Sequence, residues 1–230
     1  SPVWDTTNAM TAVLDAGLPG NHPAVLRAAR WLLSKEVRMP GDWRLWYKNG
    51  EPGGWFFEYN NEFYPDADDT AEALHCLCRV VFDCEDEMDR CRAAIKRGLN
   101  WQFACQNPDG GWPAFDKECD DEYLTFIPFA DHNAMIDPSC CDITGRSLQA
   151  LSKLGYTTND VDVKRAIDYL LDAQEDDGTW YGRWGINYIY GTWLAVQGLR
   201  AIGVDLSEKR FQKVTKWLRK KQNPDGGWGE

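Results

Sequence analysis

At 230 residues the chain is long enough for one large domain or two small ones, with room for a substantial buried core. Its net charge of −11 argues against nucleic-acid backbones as partners and against electrostatic docking on anionic lipid. No apolar stretch approaches the roughly 20 residues of a spanning helix. Nothing at Ser1 resembles a secretion signal, and the missing initiator Met points to a soluble piece of a longer chain.

In chain order, apolar positions recur at three and four residues through about 5–16, which predicts a helix packed on more than one side. A second helix follows around Arg27-Ala28 and Trp31-Leu32, then Glu36 and a Gly41-Asp42-Trp43 stop. The alternation then returns three times, with helical stretches at about 69–82, 142–154 and 187–202. Each is followed by a basic-small pair, an aromatic residue, a Gln and a Gly-rich Trp turn. The copies run Arg97-Gly98, Trp101, Gln106, Gly111-Trp112, then Arg165-Ala166, Tyr169-Leu170, Gln174, Gly178-Thr179-Trp180, and last Lys213-Val214, Trp217-Leu218, Gln222, Gly227-Trp228. Gln precedes Trp by six residues in all three, a recurrence that chance does not supply. Asn-Pro-Asp-Gly-Gly provides the stop twice. Four helical hairpins result, inner and outer helices alternating without a strand pattern, hence an all-α fold. Such hairpins curl into a solenoid or close into an α/α toroid.

If the inner helices run parallel, their N-terminal ends share a rim. That rim would collect Trp4-Asp5, the Asp66 to Asp69 cluster, Asp137 with Asp142 and Arg146, and Trp184 with Tyr188 and Tyr190. Asp66, Asp68 and Asp69 place three carboxylates within four residues at a helix start. The plain reading is N-capping plus a favourable dipole. The functional reading is a carboxyl cluster in which crowding keeps one proton on near neutral pH. The helix dipole favours the anion, so the local sequence leaves the balance open. A calcium loop is poorly supported, since the stretch after Asp69 lacks alternating oxygens and a central Gly.

Protonating an isolated alkene needs a neutral acid, exclusion of water, and π-faces for the cations that follow. Each desolvated aromatic face contributes roughly 0.5–2 kcal/mol. An acid cluster, a cation in Arg146 and several Trp and Tyr rings meet those needs.

The Gln-Trp repeat resembles that of the squalene–hopene and oxidosqualene cyclases. Tyr64-Pro65-Asp66-Ala67-Asp68-Asp69-Thr70-Ala71 looks like the DxDD motif of the squalene-using branch. Ser1 through Thr6, Gly53-Gly54-Trp55, Gly182 through Thr192 and Gln222 through Glu230 are similar as well, so the resemblance covers essentially the whole chain. It implies that residues 1–230 are a partial catalytic α/α barrel with about four of six hairpins, the second barrel lying elsewhere. It implies cyclisation of squalene to hopene or hopanol, without metal or other cofactor because no redox change occurs. Asp68 would be the proton donor supported by Asp66 and Asp69, with Arg146 standing where some relatives carry His. Trp4, Phe57, Phe115, Trp184 and Tyr190 would line the cavity and stabilise cations, Phe115 replacing a Tyr of some members. Asp5, Asp137 and Asp142 would support them. Gln106, Gln174 and Gln222, with Trp112, Trp180 and Trp228, would tie outer helices together.

Squalene as a lipid substrate implies a monotopic enzyme at the cytoplasmic side of a bacterial membrane, and leaves a homodimer open. In isolation the chain is expected to be inactive and poorly soluble. Competing readings are a DxDD cyclase acting on another isoprenoid, a non-catalytic toroid binding module, and a zinc prenyltransferase subunit built around Cys140-Cys141-Asp142. The zinc reading is weak, because adjacent cysteines rarely close one tetrahedral site. The eight cysteines form no CxxC and read as reduced thiols. His75 reads as a satisfied interior side chain, and His132 is the other histidine that invites an acid–base role. The basic tract from Lys213 to Lys221 reads as a solvated helix face.

Overall fold

The computed structural model describes residues 1–47, 50–58, 61–127 and 134–230. It is all-α: helices α1 (Pro2–Asp15), α2 (Pro23–Ser34), α3 (Ala67–Leu77), α4 (Glu85–Cys105), α5 (Cys141–Lys153), α6 (Val161–Asp172), α7 (Tyr188–Ala201) and α8 (Lys209–Lys221). Among the described residues, extended pairing is confined to isolated bridges, such as Trp55 with Asp66 and Trp112 with Cys140. Among the described residues no helix is long and apolar enough to cross a membrane. The chain divides into two compact units, Ser1–Gln106 with Phe115–Lys117, and Asn107–Ala114 with Glu118–Glu230.

Helix starts follow local signals. Pro23 opens α2 behind His22, whose Nδ1 accepts the Ala24 N–H at 3.2 Å. Asp66 caps α3. Three of the inner helices stop the same way: Gly17, Gly155 and Gly203 follow α1, α5 and α7 at φ of 98°, 89° and 97°. The inner helix α3 has no such glycine. It ends at Leu77 rather than continuing to 82 as the periodicity predicts. The Val80 N–H turns back to the Leu77 carbonyl, and the Val81 N–H donates to the Gly20 carbonyl, both at 3.1 Å. A Cβ on Gly20 would lie 2.0 Å from the Arg79 carbonyl oxygen. Contact with the α1–α2 turn therefore ends this helix, where no local residue does.

The repeat residues interlock successive hairpins. A Cβ on Gly53, Gly110 or Gly178 would meet Arg97, Arg165 or Lys213 at 2.8, 2.3 and 2.5 Å. The basic head of each then returns toward the same turn. Arg97 forks onto Glu36 at 2.5 and 2.8 Å. Arg165 donates to the Asn107 carbonyl at 2.6 Å, and Lys213 to the Asp176 carbonyl at 2.9 Å. The basic-small pair and the glycine turn are thus two halves of one contact.

The tryptophans satisfy helix ends. The Trp180 and Trp228 indole N–H groups donate to the Leu170 and Leu218 carbonyls, at 2.6 and 2.8 Å, in the last turns of α6 and α8. Gln174 donates to the Gly178 carbonyl at 2.9 Å and toward the Arg210 carbonyl of α8 at 3.4 Å. In the first copy this office belongs to Trp55, whose indole donates to the Leu32 carbonyl at 2.7 Å. Trp43, which the spacing puts there, is buried, and its indole N–H has no hydrogen-bond partner among the described residues. The Trp that satisfies this helix end stands twelve residues beyond Trp43.

Within each unit the inner helices run parallel. In the first, α1 and α3 pack together, and Arg79 meets Asp15 at 2.7 Å where both helices end. In the second, α5 and α7 cross through glycine: a Cβ on Gly145 would lie 2.3 Å from the Leu194 oxygen, and one on Gly198 would lie 2.3 Å from the Gly145 oxygen.

Candidate active site

The aspartate turn of the first unit is built by a bridge and a cap. The Asp66 N–H donates to the Trp55 carbonyl at 2.8 Å, and the Trp55 N–H donates to Thr70 Oγ1 at 2.9 Å. Asp66 Oδ1 accepts the Asp69 N–H at 2.7 Å. Its other oxygen, Oδ2, is buried without a hydrogen-bond partner among the described residues. Asp66 and Asp69 are each 1% exposed, whereas Asp68 is half-buried.

Burial, reinforced by the Asp69 and Asp68 charges, holds the Asp66 carboxyl well above the ordinary carboxylate range, and the backbone N–H groups of Asp69 and Asp68 offset this only in part. The balance left open by the sequence therefore falls to desolvation over the helix dipole.

Three residues from later in the chain join this unit. Tyr47 Oη donates to the Phe115 carbonyl at 2.5 Å, and Lys117 Nζ donates to the Ala104 carbonyl at 2.9 Å. Tyr64 Oη donates a hydrogen bond to Asp116 Oδ1. Tyr64 stands two residues before Asp66, so this bond pins the approach to the aspartate turn. Tyr47, Tyr64 and Asp116 carry no sequence signal for such a role, because the partners are 52 or more residues apart. Phe115 and Trp4 are half-buried, and Phe57 is 44% exposed. The Asp5 side chain is 77% exposed and does not share the burial of the cluster.

The second unit holds the other predicted residues. Asp142 is buried and accepts the Trp184 N–H at 2.8 Å and its neighbour Ile143 N–H at 3.2 Å. Arg146, buried in α5, donates through Nη2 to Tyr190 Oη at 3.0 Å. The Tyr190 ring meets the Trp193 ring edge-on at 6.0 Å. The Arg183 guanidinium lies 5.7 Å from the Trp184 ring and donates to the Ile136 carbonyl at 2.7 Å. Asp137 is buried and accepts the Ala114 N–H at 3.2 Å. Asp142 and Arg146 thus hold Trp184 and Tyr190 at the start of α7.

Thr70, Thr144 and Thr192 are positions whose part the sequence reading missed. Their hydroxyls accept the N–H of Trp55, Trp112 and Trp180 at 2.9, 3.0 and 3.0 Å, tying each Trp turn to the next inner helix. The signal available was a Thr four or five residues past the cap of α3, α5 and α7.

Burial pushes the Cys141 thiol up to about 12 and the Cys140 thiol well above its usual range, so both are protonated and poor metal ligands at neutral pH. Among the described residues no three His, Cys, Asp or Glu side chains cluster as a metal site, and all eight cysteines are free thiols. His75 is half-buried in the last turn of α3, and His132 lies outside the described residues.

Residues 1–230 match the family model of the squalene-hopene cyclase C-terminal domain. A squalene–hopene cyclase of Zymomonas mobilis is 40% identical over 233 residues, covering 100% of this chain and 35% of that protein. One from Bradyrhizobium diazoefficiens is 42% identical over 232 residues, again 100% of this chain and 35% of the relative. The chain thus spans about a third of the length of these curated relatives. Among solved structures, a type II terpene cyclase from Scytonema in complex with geranylgeranyl dihydroxybenzoate superposes with a TM-score of 0.56 at 19% identity, covering 99% of this chain and 56% of that one. That likeness is one of fold.

Proposed function

We propose, from a chain that belongs to the squalene–hopene cyclase family, that it is the proton-donating part of an enzyme that cyclises squalene to hopene or hopanol. Terpene cyclisation as such follows from the family. The observation that carries the finer reading is the Asp66 carboxyl, whose pKa is held well above the ordinary carboxylate range by burial and by its two carboxyl neighbours. A carboxyl cluster with a raised affinity for a proton is what alkene protonation demands.

In the proposed step, the half-buried Asp68 delivers the proton held by the carboxyl cluster to the terminal double bond of squalene. The alkene π-pair forms the new C–H bond, leaving a tertiary cation on the neighbouring carbon. The next double bond attacks that cation, and each ring closure moves the charge one unit along. Loss of a proton, or addition of water, ends the sequence with no net redox change. Trp4, Phe57 and Phe115 in the first unit, and Trp184 and Tyr190 in the second, are assigned to cation stabilisation, at roughly 0.5–2 kcal/mol per desolvated face. Arg146, Asp137 and Asp142 support the second set. Squalene dissolves in bilayers rather than water, so we place the work at the cytoplasmic face of a bacterial membrane.

The test is turnover of squalene by the protein that carries this chain, with and without Asp68→Asn. Removal of the donated proton is expected to cut triterpene formation at least about 100-fold. Unchanged turnover would overturn the assignment. Cyclised products from a different isoprenoid, with squalene untouched, would shift the substrate and keep the acid.

A further inference from the structure

The first unit carries a second concavity, on its outer helices. A cavity of about 590 Å³ opens between the C-terminal half of α2, the turn after it, and the N-terminal half of α4. Small-molecule sites span roughly 300–1,000 Å³. Four arginines line this one, Arg30, Arg38, Arg90 and Arg97, against two glutamates, Glu36 and Glu87. The local balance is +2, in a chain whose net charge is −11.

The pairing shows which cations are committed. Arg30 forks onto Glu87 at 2.6 and 2.9 Å, and its guanidinium lies 5.5 Å from the Phe82 ring. Arg97 forks onto Glu36, whose side chain is only 5% exposed. Those two pairs are geometrically complete. Arg38 reaches the same Glu36 only at 3.6 Å, with 58% of its side chain exposed. Arg90, one turn past Glu87, acts on that carboxylate through its field alone, lowering its pKa behind the larger effect of the Arg30 hydrogen bond. The two surplus charges therefore reside on two reachable side chains at the mouth. Behind them the wall is apolar: Leu33, Phe82 and Ala94.

We propose that this cavity is a binding site for a phosphate-type anion bearing an apolar chain, with Arg38 and Arg90 taking the anion and the Phe82 wall taking the chain. Arginine suits a phosphate because its planar donors match two oxygens at once. The site goes beyond the cyclase reading and does not depend on it: none of its residues belongs to the aspartate turn. A phosphomonoester free in solution and the headgroup of an anionic phospholipid present the same chemistry.

The experiment titrates the protein that carries this chain with monomeric dodecyl phosphate, with inorganic phosphate, and with phosphatidylcholine vesicles with and without phosphatidic acid. Calorimetry reads the soluble ligands and co-sedimentation reads the vesicles. The expected result is dodecyl phosphate bound at least about ten-fold more tightly than inorganic phosphate, weakened about ten-fold or more in the Arg38→Gln/Arg90→Gln variant. Both side chains are exposed, so the fold is not at stake. Arg200→Gln/Lys209→Gln removes two charges elsewhere and is expected to leave binding unchanged. Vesicle binding that needs phosphatidic acid and fails in the Arg38/Arg90 variant, without dodecyl phosphate binding, would assign the site to a lipid headgroup. No binding in either arm, or binding equal in the Arg38/Arg90 variant, overturns the proposal.

Discussion

The Asp66 carboxylate accepts the backbone N–H of Asp69 at 2.7 Å while lying 1% exposed beside that residue's own carboxyl. One side chain thereby caps a helix and binds a proton more tightly than an exposed carboxylate does. The cap favours the anion and the burial opposes it, and burial is the larger effect.

That conflict makes Asp66→Asn a stabilising substitution at neutral pH. The raised carboxyl pKa means that ionising Asp66 costs folding free energy. This penalty is absent below the unfolded-state value near about 4 and grows as pH rises toward the raised folded value. Asn caps equally well and cannot ionise. Urea denaturation should show Asn ahead by about 1 kcal/mol at pH 7, with the gap closing as pH falls toward about 4. Squalene turnover should fall at the same time. A variant less stable than the parent at pH 7 would argue that the Asp66 charge is retained.

Arg146 and Tyr190 offer a double-mutant cycle. With Nη2 at 3.0 Å from the phenol oxygen and Arg146 only 5% exposed, Arg146→Met and Tyr190→Phe should be coupled by about 0.5–3 kcal/mol in stability. Additive losses would show that the hydrogen bond contributes nothing.

The threonines that tie each Trp turn to an inner helix predict a matched series. Thr70→Val, Thr144→Val and Thr192→Val each strand a buried Trp N–H, so each should cost about 1–3 kcal/mol in chemical denaturation. Thr70→Val should also lower turnover more than the other two, because Thr70 follows Asp69 directly. Equal effects on activity across the series would sever the Trp55–Thr70 tie from the acid.

The α5–α7 crossing predicts that Gly145→Ala destabilises by about 1–3 kcal/mol, since the new Cβ meets backbone at 2.3 Å that cannot rotate away. A shift in urea midpoint below a few tenths of a kcal/mol would mean that the helices part easily.

Periodicity and turn chemistry alone determined the all-α fold and the four hairpins, because helix caps, glycine stops and a six-residue Gln-to-Trp interval act within a few residues. They also located the aspartate cluster and the start of α7. Tertiary structure decided the rest. It ended α3 at Leu77 through Gly20, gave the first Trp turn to Trp55 instead of Trp43, and brought Phe115–Lys117 into the first unit. It also set the direction of the Asp66 pKa shift, since a pKa depends on how much water is removed and on which charges remain, and neither quantity is written in the order of residues.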